Sequence, residues 1–244
     1  MKRMLLTISY DGTAYHGWQV QPNAVTVQGV LCEALEQVLK TKVSLTGTSR
    51  TDAGVHAKQF TCHLDCADNI PESAFLRGVN TLLPCDIAVT DCKEVESDFH
   101  ARYNARGKTY CYNIYNSSIK DPFKLRYAWQ IERSLNIDKM NAFAKEITGR
   151  HDFYAFSSSG RTVEDTVREI SECFVTKNGD DIKITVTANG FLYNMVRIIA
   201  GTAVAVSDGK IAVEDIGSIL ESKKRERAGI TAPPQGLFLE KVHY

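Results

Sequence analysis

A chain of 244 residues with 43% apolar content can bury a real core, and it sits at the upper edge of one domain or the lower edge of two. Its 29 Lys+Arg and 29 Asp+Glu cancel to a net charge of zero, so the chain can hold a polyanion only where its cations gather in one place. No apolar run reaches the roughly 18 residues of a membrane span, and the first residues turn polar too soon for a signal-peptide core, so a cytoplasmic globular protein is expected. The 7 cysteines are odd in number, scattered and free of any C-x-x-C pair, so neither a disulfide framework nor a zinc site is indicated.

In chain order, Met4 to Tyr10 reads as a strand. Thr26 to Lys40 reads as a helix with Thr26 as N-cap and Val27, Val30, Leu31, Ala34, Leu35, Val38 and Leu39 on one stripe. Strands follow at Val43 to Thr48 and His56 to Leu64, then a helix from Pro71 to Leu82 opened by its proline, and a strand from Ile87 to Val95. The order β-α-β-β-α-β then recurs. Its second pass runs through a strand at Lys108 to Tyr115, a helix at Asp138 to Ile147, strands at Arg168 to Val175 and Asp181 to Ala188 around a Lys177-Asn178-Gly179-Asp180 turn, a helix at Phe191 to Val206 and a strand near Leu237 to His243. Ile182, Ile184 and Val186 alternate with Lys183, Thr185 and Thr187, the pattern of a half-buried antiparallel strand. An extra helix, Val213 to Glu221, precedes a basic loop, Lys223 to Arg227, that reads as a solvated helix end. The expectation is an α+β fold of two ferredoxin-like halves, residues 1–103 and 104–244, sharing a mainly antiparallel sheet with helices packed on one side.

The eleven residues Gly47 to Ala57, G-T-S-R-T-D-A-G-V-H-A, are the most informative stretch. They set one carboxylate, Asp52, beside one cation, Arg50, between glycines that let the backbone turn sharply. Two readings stand: a carboxylate presented to a ligand, or an ordinary turn in which Asp52 caps the amide of Gly54. His56 lies close by but lacks a third partner, so a structural role is the better reading for it.

Charge is distributed unevenly. Residues 1–100 carry 8 basic and 12 acidic side chains and residues 101–244 carry 21 and 17, so the halves are −4 and +4. Between Phe99 and Ala128, six cations (Arg102, Arg106, Lys108, Lys120, Lys124, Arg126) interleave with seven aromatic residues and a single acid, Asp121. Cations hold phosphates and rings stack on unpaired bases, so such interleaving suits single-stranded RNA; a tyrosine-rich amphipathic strand is the alternative. The helix Phe191 to Val206 is apolar almost all round yet carries Arg197, a costly placement unless an anion answers it or the side chain snorkels to the surface. Pairing with Asp52 is the sharper of these readings.

These residues resemble the TruA family of tRNA pseudouridine synthases. The similarity runs the full length, through Tyr15 to Gln21, Gly47 to Ala57, Phe99-His100-Ala101-Arg102, Asp152-Phe153, Asn189 to Gly201 and Thr231-Ala232-Pro233-Pro234, with Ser49 standing where Gly or Ala is usual and Tyr15 where Phe is common. The resemblance implies an isomerase acting on uridines 38, 39 or 40 of the tRNA anticodon stem-loop, a homodimer, and neither cofactor nor metal. It implies Asp52 as the catalytic carboxylate, Arg50 and Arg197 as its electrostatic partners and Tyr110 as the ring on the target base, with Arg102, Arg106 and Lys108 as RNA contacts.

Two rivals fit less well. A non-catalytic RNA-recognition module would need an aromatic and a small residue where Lys108 and Thr109 stand after Arg106-Gly107. An acid hydrolase built on Thr51-Asp52-Ala53-Gly54 would need a second such segment, and the sequence has none. G-x-x-x-x-G-K-[ST], H-E-x-x-H and G-x-G-x-x-G are also absent, so no nucleotide or metal is implied.

Overall fold

A computed structural model describes residues 1–160 and 164–244. The chain forms two compact units: 1–106 joined by 238–244, and 107–237.

The first unit is built on β1 (Lys2–Tyr10), which pairs antiparallel with β3 (His56–Cys66) on one side and β4 (Ile87–Val95) on the other. A two-residue strand, β2 (Thr46–Gly47), lies antiparallel on β3. The order β4-β1-β3-β2 is that of a ferredoxin-like sheet. The strand expected from Val43 to Thr48 shrinks to two residues because helix side chains take its backbone groups: Glu36 accepts from the Val43 amide at 3.2 Å and Gln28 donates to the Leu45 carbonyl at 3.0 Å. Both acceptor and donor sit on α1 (Val27–Leu39), where Thr26 accepts from the Gly29 amide as N-cap and Val27, Leu31, Ala34 and Leu35 are buried. The second helix opens as a π-helical stretch, Ala74–Val79, and ends in a single α-helical turn, α2 (Asn80–Leu82). Asn80 ties this turn to β4, donating to the Val89 carbonyl and accepting from the Val89 amide, both at 2.8 Å. The last strand of the chain, β10 (Leu237–His243), pairs parallel with β3, Phe238 opposite His56 and Leu239 opposite Ala57.

The second unit carries β5 (Gly107–Tyr115), β6 (Trp129–Gln130), β7 (Gly149–Asp152), β8 (Val167–Asn178) and β9 (Asp181–Ala188). Their order is β5-β9-β8-β7, antiparallel throughout, with β6 parallel to the end of β5. The alternation read in β9 holds in part: Ile182, Ile184 and Val186 are essentially inaccessible and Lys183 and Thr187 partly exposed, but Thr185 is buried as well. Strands β6 and β7 have no counterpart in the expected order; two and four residues are too few to show a period. Helix α3 (Ile137–Glu146), capped by Asn136, packs on β8 and on α4 (Met195–Ser207), and α5 (Ile216–Ser222) follows a 3-10 turn. α4 starts four residues later than expected from its apolar run: Asn194 is left-handed (φ 61°) and so cannot belong to the helix. The mixed α+β, mainly antiparallel character expected from the sequence is present in both units.

Candidate active site

The Asp52 loop hangs between β2 and β3 and is held by the segment that follows β1. The Thr51 carbonyl accepts from the Trp18 amide at 3.1 Å, and the Gly54 amide donates to the Tyr15 carbonyl at 3.2 Å. That second bond engages the amide which a capping turn at Asp52 would use. Thr51 is buried and its hydroxyl meets that of Tyr10 at 2.8 Å, while Asp52 is half-buried and Ala53 exposed. Gly17 has φ +81°, and a Cβ there would lie 2.2 Å from the Thr51 carbonyl oxygen, so only glycine lets the two backbones approach this closely. Of the two glycines expected to turn the motif, Gly54 does so with φ +76°. Gly47 has no positive φ and instead sits in β2, where a Cβ would lie 2.6 Å from the Trp18 indole nitrogen.

His56 lies in the core, and Asp11 is a partner for it that the sequence did not show. Its ring is buried, stacks on Phe238 with centroids 4.5 Å apart, and accepts from the Gly12 amide at 3.1 Å through Nδ1. Asp11 Oδ1 lies 3.1 Å from the same nitrogen and accepts from the Thr13 amide at 2.9 Å. Arg50, exposed, is carried on the same loop as Asp52. Tyr15, whose carbonyl braces Gly54, donates its hydroxyl to Asp86 at 2.6 Å; burial and that carboxylate push the phenol well above its usual range and keep it protonated.

The second unit holds Tyr110, Lys108 and Arg197. Tyr110 and Lys108 are two residues apart on β5, opposite Val186 and Ala188 of β9. The Tyr110 ring is 7% exposed and meets Phe191 edge to face, 4.9 Å between centroids. Arg197, half-buried in the first turn of α4, donates through Nε to the Ala232 carbonyl at 2.7 Å and through Nη1 to the Asn194 side chain at 2.8 Å. Asn194 also donates to Ser158 at 3.0 Å, and the Ala232 amide returns a bond to the Arg197 carbonyl at 3.1 Å. These bonds fix the plane of the guanidinium at the helix end. Its charge reaches Tyr112, opposing the upward push that burial gives that phenol. Arg102 and Arg106 are exposed and belong to the first unit, the latter donating its amide to the His243 carbonyl at 2.8 Å.

Several residues that shape the site carry no signal readable in the sequence. Tyr10 looks like the end of a core strand, and Arg225 like part of a solvated basic loop. Yet Arg225 is half-buried and donates to the Gly229 carbonyl at 2.8 Å and to the Thr231 hydroxyl at 3.0 Å, clamping the loop whose next residue, Ala232, receives Arg197. Burial lowers the Arg225 pKa. Among the described residues no group of three or more His, Cys, Asp or Glu side chains is placed to hold a metal ion, and no helix is long and apolar enough to cross a membrane.

Residues 6–104 and 143–244 match the family described as tRNA pseudouridine synthase. Three similar proteins are aligned over the whole of both chains: tRNA pseudouridine synthase A of Thermoanaerobacter sp. (strain X514), 47% identical over 244 residues; its namesake in Ruminiclostridium cellulolyticum, 46% over 246; and tRNA pseudouridine synthase A 2 of Clostridium perfringens, 44% over 244.

Proposed function

Because the chain belongs to the tRNA pseudouridine synthase family, and is thus an isomerase, we propose that it converts uridine to pseudouridine at positions 38, 39 or 40 of the anticodon stem-loop with Asp52 as its catalytic carboxylate. The observation that carries the assignment of Asp52 is the bracing of its loop: two backbone hydrogen bonds, the Tyr10–Thr51 contact and the Gly17 approach all converge on the residues flanking this one acid. A carboxylate held on such a mount meets the reacting atoms without having to be ordered first.

Isomerisation breaks the bond from C1′ to N1 of the uracil, turns the base and joins C1′ to C5. Nothing leaves. A glycoside hydrolase needs one carboxyl to protonate a departing group and another to activate water or attack; here the base is retained, so one carboxylate is enough. Asp52 has two routes: attack on C1′ to give a covalent adduct, or removal of the 2′ proton to give a glycal. Arg50 and Arg197 keep it ionised and attract the polyanion, and Arg102, Arg106 and Lys108 contact phosphates. Tyr110 packs on the base once it has left its stack and is the candidate to receive the C5 proton in the last step. The working form is a homodimer in the cytoplasm.

The test is release of tritium from tRNA labelled at C5 of uridine, under single-turnover conditions with enzyme in excess, together with mapping of the modified positions. Asp52→Asn is expected to lower the rate by about 10⁴-fold or more, the scale seen when a nucleophile or base is removed. In the same assay Tyr110→Phe separates ring from hydroxyl: it keeps tRNA affinity and stalls after glycosidic cleavage. Measurable pseudouridine from Asp52→Asn overturns the assignment, and a modified uridine outside positions 38–40 relocates the substrate.

A further inference from the structure

The seven aromatic residues between Phe99 and Ala128 do not share one environment. Tyr110, Tyr112 and Tyr115 are buried in the second unit, and Phe99 packs against Tyr244 with centroids 5.1 Å apart. Phe123 and Tyr127 are exposed and line a cavity of about 390 Å³ with Lys124 and Lys183, but there the cation beside the rings is already neutralised: Lys124 lies 2.7 Å from Asp181 and 4.8 Å from the centre of the Tyr115 ring. Tyr103 is different. Its ring is 77% exposed, and the guanidinium of Arg102 lies 5.9 Å from its centre. Among the described residues Arg102 forms no ion pair.

The mount of this ring is rigid. Tyr103 lies on His100 with centroids 4.2 Å apart and planes inclined by 33°. His100 is fixed in turn, its Nδ1 accepting from the Arg102 amide at 3.1 Å and the Tyr103 amide at 3.3 Å, and its own amide donating to Asn104 at 2.6 Å. Behind it stands His63, 6% exposed, which meets the His100 ring at 5.0 Å and accepts from the Ala101 amide at 3.1 Å. The five residues from His100 to Asn104 are thus held to one another or to His63, while the ring of Tyr103 faces water.

We propose that Tyr103, backed by His100 and flanked by Arg102, is a stacking site for an unpaired base of the RNA substrate, with Arg102 on the adjoining phosphate. Every base has a π face, and a ring that is already immobile loses little entropy when a base settles on it. The proposal rests on the chain's action on tRNA and adds a contact that the chemistry of isomerisation does not require.

Binding is best read apart from turnover, with every variant made in the Asp52→Asn protein and Kd measured by filter binding of an unmodified tRNA transcript at fixed salt. Tyr103→Ala is expected to weaken binding about 5- to 100-fold, and Tyr103→Phe by less than about twofold. Arg102→Gln should reduce the slope of log K against log salt by about 1. A blunt RNA duplex used as competitor should bind Tyr103→Ala and its parent equally. An unchanged Kd for Tyr103→Ala, an equal loss with Phe, or an equal loss on the duplex overturns the stacking site. So does a Tyr103→Ala protein that sediments differently with Kd unchanged, because the ring would then be a protein contact. If the wild-type chain neither binds nor isomerises the transcript, the reading of its substrate fails as well; if it does both and Tyr103→Ala binds normally, only the stacking site falls.

Discussion

Two loops of this chain, the one bearing Asp52 and the one running from Gly229 to Gly236, are both pinned by a close backbone approach to a glycine, but they are braced by opposite means. The first is held by backbone amides and carbonyls and by two hydroxyls. The second is held by cations: Arg197 on the Ala232 carbonyl, Arg225 on Gly229 and Thr231, with Tyr112 adding a bond to the Pro233 carbonyl at 2.7 Å. The contrast teaches a rule about where charge is spent. A loop that presents a carboxylate is fixed with neutral groups, whose own fields do little to bias its ionisation, whereas a loop that only supports an arginine is itself fixed by arginines.

The comparison breaks most sharply at the two glycines. A Cβ at Gly17 would lie 2.2 Å from the Thr51 oxygen, and one at Gly201 would lie 1.9 Å from the Ile230 oxygen. Each Gly→Ala change is expected to cost about 2–4 kcal/mol in denaturant unfolding, but Gly17→Ala should also reduce the single-turnover rate of the remaining folded protein by more than Gly201→Ala does. Equal kinetic losses would mean that the two loops serve the reaction in the same way.

A next, smaller effect is the coupling of the two charges. A double-mutant cycle on unfolding free energy with Asp52→Ala and Arg197→Met is expected to show an interaction of about 1–3 kcal/mol, the loss of Asp52 easing the stability cost of losing Arg197. Additivity would assign Arg197 to a role apart from the carboxylate. Arg225→Met, which removes two hydrogen bonds from the second loop, should lower unfolding stability by about 1–2 kcal/mol and kcat severalfold; Arg225→Lys should recover little of either, because one ammonium cannot span both acceptors. An Arg225→Met enzyme of normal kcat would show that the loop does not transmit to Arg197.

The smallest effect concerns pH. Burial, aided by the nearby Arg3 and His100, lowers the pKa of His63. Below about 6.5, the ordinary histidine value, the unfolded chain therefore binds a proton that the folded chain refuses, and stability falls with pH until the folded group also titrates. Between pH 7 and pH 5.5 the melting temperature of His63→Gln should decline less than that of the wild type. Parallel declines would mean that the histidine is protonated as readily folded as unfolded.

Much of this was legible in the amino-acid order. Period-2 and period-3.6 patterns are strong where an element is long and one-sided, so β4, β9 and α1 fall where the sequence places them. The misses have two causes: β6 and β7 are too short to show a period, and elsewhere a single residue overrides the pattern around it. Glu36 and Gln28 consume the groups that would have extended β2, and Asn194 in its left-handed conformation delays α4. At the candidate site, the motif around Asp52 identified the loop but not its mount, because Tyr10 and Gly17 are distinguished only by what lies across from them in space. The apolar run of α4 marked Arg197 as costly, yet the carbonyl it reaches is 35 residues away and carries no side-chain signature.

The pairing of β10 with β3 also sets a timetable. Lys58 and Glu240, joined at 2.9 Å, are 182 residues apart, and the ring that covers His56 is Phe238. At a synthesis rate of about 5–20 residues per second, the strand leading out of the Asp52 loop waits roughly 10–40 s for its last neighbour. During that interval β3 offers part of an unpaired edge, and a nascent chain can collapse around β1 and β4 without being able to seat the imidazole that receives Gly12. A catalyst assembled in this way is withheld until Phe238 and Glu240 have been made.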